Sequence, residues 1–303
     1  MQSMLCGELE IRGYKARVLS IDHVNQLQLD IKEALETNGR SESFCSFIGR
    51  CLDFNLPDTM QNIRSIIVCA VPSPRARVFF NHKGKRHQIF IPPTYIDMFS
   101  ASEKMMKQIK AILEPCNYNV IEAKLPNKLL AVRSGLGHYG RNNICYIPGM
   151  GSFARLAAFY SDMPCEEDNW YEAKQMETCH KCSACSKNCP TGSVKTDIRL
   201  INAERCICNI NEHRGDFPNW MEPQWHNSLV GCFKCQEVCP ENKDFICNIA
   251  DIGEFSDEET DILLQGLPLE AVPPETRAKL EIMNMVVYYS CLSRNLRVLL
   301  EQN

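Results

Sequence analysis

A chain of 303 residues with 45% hydrophobic composition can bury a real core, as one large domain or two modest ones. Its formal net charge of -4 supplies no global drive toward nucleic acid or an anionic membrane, which leaves only local basic patches for such partners. No basic-then-apolar leader opens the sequence and no apolar run reaches membrane-spanning length, so the expected location is the cytoplasm, without a membrane partner.

In chain order, Asp22 is placed to cap a helix with Val24, Leu27, Ile31 and Leu35 on one face and Gly39 as its stop. Ile66 to Val71 is an unbroken apolar run ended by Pro72 and Pro74, the pattern of a buried strand. Arg75, Arg77, Lys83, Lys85, Arg86 and His87, interleaved with Phe79 and Phe80, form the one concentrated basic stretch. It reads as a solvated, mobile loop in preference to a phosphate or polynucleotide site. Ser100 with Glu103 has capping-box spacing ahead of Met105, Ile109, Ile112 and Leu113.

Val120 and Ile121 belong to a further strand, and Asn127 to Arg133 to a short helix. A glycine-rich segment follows, Ser134-Gly135-Leu136-Gly137-His138-Tyr139-Gly140-Arg141-Asn142. Then a hairpin is predicted between Ile144–Ile147 and Phe153–Tyr160, turned by Pro148 to Gly151. Pro164 to Thr178 is the best boundary. The domain division is 1–165, 166–250 and a C-terminal helical segment, 251–303. In the last, Ser256 and Glu259 cap one helix, and Glu275 to Glu301 reads as one long amphipathic helix with Leu280, Met283, Val287, Cys291 and Leu299 inward.

Eighteen cysteines in a cytoplasmic chain point to metal or redox chemistry and not to a disulfide framework. Two runs stand out. The first is Cys179-His-Lys-Cys182-Ser-Ala-Cys185-Ser-Lys-Asn-Cys189-Pro190, and the second is Cys232-Phe-Lys-Cys235-Gln-Glu-Val-Cys239-Pro240. Cys-x2-Cys-x2-Cys-x3-Cys-Pro is the spacing of two-cluster ferredoxins, in which the fourth cysteine ligates the other cluster. Crossed ligation assigns Cys179, Cys182, Cys185 and Cys239 to one [4Fe–4S] cluster. Cys189, Cys232 and Cys235 then need one outside ligand, for which Cys206 is preferred and Cys208 is the rival. Zinc also takes Cys-x2-Cys pairs, but seldom three cysteines at successive x2 spacing followed by x3-Cys-Pro.

Three stretches carry a family resemblance: Ala131 to Asn142, Cys179 to Gly192, and Gly231 to Asn242, with Arg205-Cys206-Ile207 between the last two. Together they resemble epoxyqueuosine reductase and its relatives, cobalamin-dependent iron–sulfur oxidoreductases related to reductive dehalogenases. The resemblance implies an α/β, nitroreductase-related cobalamin-binding domain, a ferredoxin-like double [4Fe–4S] domain and a short helical tail. It implies that Ser134 to Asn142 line the corrin, with Gly135, Gly137 and Gly140 letting backbone approach a flat macrocycle. Where the family has a tryptophan–isoleucine pair, this chain has His138-Tyr139. Glu122 is an approximate stand-in for the family's proton-donating aspartate. Glu122, Tyr139 and His138 are the catalytic candidates, with Tyr95 a further acid. His138 could ligate cobalt, donate a proton, or be a loop histidine bonded to backbone.

The reading is a cobalamin-dependent reductase fed by a low-potential donor of ferredoxin or flavodoxin type. Its acceptor is a small molecule or modified nucleoside; the short tail and negative charge do not favour tRNA. The alternative is an electron-transfer protein that reduces the corrinoid of a partner protein. A bare ferredoxin-like relay would leave the glycine-rich segment unexplained.

Overall fold

A computed structural model describes residues 1–36, 41–96, 100–195 and 200–302, apart from the side chain of Ser43. The first half of the chain runs α1 (Gln2–Ile11), β1 (Lys15–Ser20), α2 (Val24–Glu36), α3 (Glu42–Cys51), β2 (Ser65–Pro72), β3 (Arg75–His82), β4 (Lys85–Ile91), α4 (Ser100–Leu113), β5 (Val120–Ala123), α5 (Asn127–Arg133), β6 (His138–Tyr139), β7 (Cys145–Tyr146) and β8 (Ala154–Ser161). Strands β1, β2, β8 and β5 form a four-stranded antiparallel sheet in that order.

Both faces of this sheet are covered. Ile67, Cys69 and Phe159 pack with Leu5 and Leu9 of α1 and Met105 and Ile109 of α4. Ile66, Val68, Ala70 and Ala158 pack with Leu27 of α2 and Leu130 and Ala131 of α5. Double burial is why β2 is apolar without interruption, since each alternate residue meets a helix on its own side.

The second half runs α6 (Ala184–Asn188), α7 (Ile207–Glu212), α8 (Lys234–Glu237), β9 (Ile249–Phe255), α9 (Asp257–Gln265), α10 (Pro274–Ile282) and α11 (Tyr289–Glu301). Strand β9 adds parallel to β3, giving a second sheet ordered β4-β3-β9. Its core joins Val78, Phe80, Ile89, Ile91 and Phe255 to Leu263, Leu280, Leu292 and Leu296 from the C-terminal helices. The position 250/251 falls inside β9.

Several expectations are corrected. The basic stretch is a hairpin and not a mobile loop. Its turn is Lys83-Gly84, both at positive φ, and Ala76, Val78, Phe80, Ile89 and Ile91 alternate inward. Two of its outward cations are answered by β9: Arg77 meets Asp251 at 2.7 Å, and Arg86 meets Glu254 at 2.9 Å. The hydrogen bond from Arg86 holds the Glu254 carboxyl down at about 2.

The predicted hairpin strands exist but do not pair with each other. Cys145–Tyr146 pairs with His138–Tyr139, and β8 is drawn into the main sheet, leaving one bridge between Ile147 and Gly151. The long terminal helix is broken at Asn284, which sits in the left-handed region (φ 57°), a conformation asparagine tolerates. Val287 is consequently half exposed, whereas Leu280, Met283, Cys291 and Leu299 are buried as expected.

Ser20, not Asp22, supplies the cap before α2, accepting from the Asp22 amide. Gly39 lies outside the described residues. Ser100 is already the first residue of α4, and the position before it is likewise outside them. The Ser256–Glu259 capping box is present in full.

Candidate cluster sites and the adjoining cleft

The two cysteine runs adopt one local conformation. Ser183 precedes α6 with φ -126° and ψ 13°, and Phe233 precedes α8 with φ -127° and ψ 13°. The side-chain amide of Asn188 donates to the Lys234 carbonyl at 2.6 Å, tying the short helices together. This pairing brings Cys239 of the second run to the first run's side. Cys179, Cys182, Cys185 and Cys239 line a single cavity, together with Gly140, Arg141, Asn142, Tyr146 and Met176. The Arg141 amide points at Cys179 Sγ, 3.4 Å away, and its guanidinium bonds the Cys179 carbonyl. Tyr146 hydrogen-bonds Cys239 and, at 3.0 Å, Asn142.

The remaining cysteines converge on the other side. Cys232 feels the charges of Cys206 and Cys189, and Cys235 those of Cys232 and Cys206. Asn142 also hydrogen-bonds Cys235, so it stands between the two sets. Burial pushes the Cys232 thiol up to about 12 and raises Cys235 well above its ordinary value. Crowded, desolvated thiols of this kind give up their protons when a metal supplies positive charge. The first set, four soft sulfurs around one cavity with an amide donor aimed at Cys179, suits an iron–sulfur cluster, while among the described residues no group of three or more His, Cys, Asp or Glu is placed to hold a single metal ion.

Cys208 neighbours Cys206, with which it shares a hydrogen bond, but its sulfur is also engaged on the far side. Its sulfur lies 3.0 Å from the Tyr95 hydroxyl and donates to Glu212 at 3.0 Å. His180, between ligands, is exposed.

The glycine-rich segment divides. Gly140 to Asn142 face the first cysteine cavity. Ser134, Gly135 and His138 instead line an open cleft of about 450 Å³, with Arg17, Val132, Asn169, Tyr171, Glu172 and Lys174. Leu136 is buried in the core of the first sheet, and Tyr139 is half buried in β6.

Each of the three glycines has one side packed against the chain's own side chains. A Cβ on Gly135 would meet the Tyr171 ring at 2.9 Å, one on Gly137 would meet Ile147 and Cys145 within 2.8 Å, and one on Gly140 would meet Tyr146 at 2.5 Å. The chain's own side chains fill those spaces, so glycine is demanded by internal packing. Within the glycine-rich segment, Ser134, Gly135 and His138 are the residues on the cleft wall.

The catalytic candidates are not brought together. His138 lines the cleft, and Tyr139 follows it with its backbone paired to residues 174 and 176. Glu122 is exposed on the edge strand β5, bonded by the Ser102 hydroxyl, and is not among the lining residues. Tyr95 is half buried, its hydroxyl 3.0 Å from the Cys208 sulfur. Sequence reasoning passed over the far wall of the cleft, residues 169–174. This extended segment is clasped to the first sheet by Tyr171 N donating to the Arg133 carbonyl, Asp168 pairing with His23, and Trp170 stacked on His23 at 3.9 Å. Arg17 carries no local signal either, as it reaches the cleft from β1.

Comparisons with known proteins agree with this geometry. The family described as a 4Fe-4S double cluster binding domain matches residues 178–242. The epoxyqueuosine reductase of Staphylococcus aureus is 26% identical over 217 residues, covering 68% of this chain and 53% of that protein. That of Pseudomonas aeruginosa is 33% identical over 144 residues, covering 46% and 39%. The chain thus spans about half, or less, of the length of these curated relatives.

Among solved structures, epoxyqueuosine reductase from Bacillus subtilis superposes with a TM-score of 0.65 at 20% identity, over 98% of this chain and 80% of that one. The Streptococcus thermophilus enzyme gives 0.66 at 18%, over 99% and 80%. A third is an epoxyqueuosine reductase bound to an epoxyqueuosine-modified tRNA stem loop, with a TM-score of 0.64 at 19% identity, over 98% and 80%. No described helix is long and apolar enough to cross a membrane. The chain is similar to the epoxyqueuosine reductases, has their α/β fold, and matches a 4Fe–4S double cluster binding domain over residues 178–242.

Proposed function

We propose that this protein is an iron–sulfur reductase that passes single electrons through two [4Fe–4S] clusters to an acceptor in the cleft beside Ser134 and His138. Cys179, Cys182, Cys185 and Cys239 hold the first cluster, and Cys189, Cys206, Cys232 and Cys235 the second. The observation that carries this reading is the division of the glycine-rich segment. Its residues 140–142 touch the first cluster's cysteines while residues 134–138 of the same segment form the cleft wall. An electron leaving the first cluster therefore has only that wall to cross. Asn142, bonded to Cys235 while lining the first cavity, joins the two cysteine sets.

Cobalamin is the acceptor group this reading assigns to the cleft, where it would supply a cobalt centre able to take up single electrons. Arg17, His138 and Lys174 offer polar contacts at the rim, and Tyr171 offers a ring face. His138, exposed and facing the cleft, is the side chain placed to hold or deliver a proton there. Glu122 and Tyr139 lack that placement and become weaker catalytic candidates. The substrate class is a modified nucleoside or small molecule, with electrons arriving from a low-potential ferredoxin- or flavodoxin-type donor. The hairpin cations paired to Asp251 and Glu254 weaken a polynucleotide role for that stretch.

The second reading is reduction of a corrinoid held by a partner protein. The openness of the cleft favours it, because Tyr171 is 53% exposed and the adjacent Glu172–Lys174 pair is exposed as well. Anaerobic purification, iron counting and titration with cobalamin, read by its visible spectrum, separate these. Binding with about eight irons per chain supports the first reading. Full iron without binding, but with reduction of an added corrinoid protein, supports the second. Full iron and neither activity leaves a bare relay.

A further inference from the structure

A half-buried polar set beside Cys206 has no part in the electron path above. Cys208 and Glu212 lie four residues apart on α7, so they share one helix face. The Tyr95 hydroxyl and the Cys208 thiol both donate to Glu212 Oε1, the thiol at 3.0 Å. Cys208 is also within hydrogen-bonding reach of Cys206.

The surroundings are built to hold this set. Gly231, next to ligand Cys232, has φ +64°, and a Cβ there would overlap the Tyr95 hydroxyl. Asn211, between Cys208 and Glu212, is fully buried. It donates to the Gly231 carbonyl at 2.9 Å, and its own carbonyl accepts from Asn295 at 2.8 Å. The described partners of the Glu212 carboxylate are a hydroxyl and a thiol, not a cation.

We propose that Tyr95, Cys208 and Glu212 set the potential of the second cluster, with Cys208 a hydrogen-bond donor shared between Glu212 and the sulfur of Cys206, and not a ligand. The inference rests on the two-cluster reading above. A thiol proton donated to a ligand sulfur stabilises the added electron, and an anion nearby opposes it. Glu212 does both jobs in one direction: it draws the Cys208 proton away from Cys206 and adds negative charge beside the cluster. The second cluster is thereby held at low potential, which makes it the stronger reductant.

The test is a redox titration of anaerobic holoprotein, following each cluster by electron paramagnetic resonance and counting iron. Glu212→Gln should keep about eight irons and raise the midpoint of the second cluster alone. The expected shift is about tenfold in the reduced-to-oxidised ratio at fixed potential, ~59 mV for a one-electron couple. Cys208→Ala should retain full iron and lower the same midpoint, and Cys208→Ser should restore it by keeping a donor. Tyr95→Phe gives an independent measurement where Glu212→Gln folds poorly: with one donor fewer, Glu212 draws harder on the thiol and the midpoint falls.

Loss of half the iron in Cys208→Ala makes Cys208 a ligand and overturns the proposal. So do unchanged midpoints at full iron, or equal shifts in both clusters. Failure of the two-cluster reading looks different, because wild type itself would then lack the second signal.

Discussion

Ser183 and Phe233 hold nearly identical backbone angles, so α6 and α8 present their cysteines in one conformation, yet the two sets are enclosed by different material. Around the first lie Gly140, Arg141, Asn142 and Tyr146, all from the sheet half of the molecule, with an open cleft on the other side of that wall. Around the second lie α7, the 228–231 turn and the terminal helix α11, joined by buried asparagines. On the proposed reading one repeat serves two tasks: the first site would deliver electrons toward the cleft, and the second would be electrostatically adjusted by Tyr95, Cys208 and Glu212. The largest expected effect tests whether the sets are truly crossed. Cys239→Ala should abolish the first cluster and Cys189→Ala the second, each leaving about half of the eight irons. Loss of the cluster on the mutated run's own side would break the comparison.

Packing gives the next test. A Cβ on Gly140 would stand 2.5 Å from the Tyr146 ring and 2.6 Å from Asn142 Oδ1, both of which border the first cavity. Gly140→Ala should cost up to about 3 kcal/mol in denaturant unfolding. It should also make the first cluster lost before the second on exposure to chelator. Simultaneous loss would mean that the glycine segment does not seal the first site separately.

The double cluster binding domain was legible because its cysteine spacing is local, and three thiols at x2 spacing serve little else, whereas the meeting of Cys239 with Cys179, Cys182 and Cys185 depends on the fold. The glycines were legible as a motif but not in purpose, because the atoms that demand them belong to Tyr171, Ile147 and Tyr146. Strand pairing failed for a related reason. Phe153 to Tyr160 is adjacent in sequence to Ile144–Ile147, but its apolar residues suit a sheet covered on both faces, and β2 and β5 outcompete the near neighbour. The basic stretch was misread by charge when its alternation and its Lys83-Gly84 turn already marked a hairpin. Nothing local marks Asn284 as a helix break, since Met283 and Met285 continue the apolar pattern. Glu212 and Tyr95 are 117 positions apart, so only the fold reveals them together.

On the second site's side, Asn295 is fully buried and its amide donates to the Asn211 and Leu229 carbonyls at 2.8 and 2.9 Å. Asn295→Ala leaves two buried acceptors without that donor, at a cost of about 2 kcal/mol. The damage should appear in the second cluster's spectrum while the first stays unchanged. Altered signals from both would show that α11 supports the whole cluster segment, and the contrast between the sites would weaken.

The smallest effect is a pH dependence on this same side. His226 is 4% exposed, packs on Phe217 with ring centroids 4.4 Å apart, and has an Nδ1 with no partner among the described residues. Burial first, then Arg294 and Lys234, depress the imidazole to about 4 from 6.5. Between those values the unfolded chain binds a proton that the native chain refuses. The contribution is therefore complete above pH 6.5 and is lost as pH falls toward 4. Allowing for partial solvent screening, the loss should amount to roughly 1–2 kcal/mol. Carboxylates elsewhere titrate over the same range, so the informative quantity is the difference between wild type and His226→Phe. Denaturation of holoprotein at pH 7, 6, 5 and 4.5 should give a steeper acid decline for wild type, with the second cluster's signal lost first. Parallel curves would mean that His226 is relieved by solvent or an anion, and that the second site is less sealed than its asparagines and helices make it.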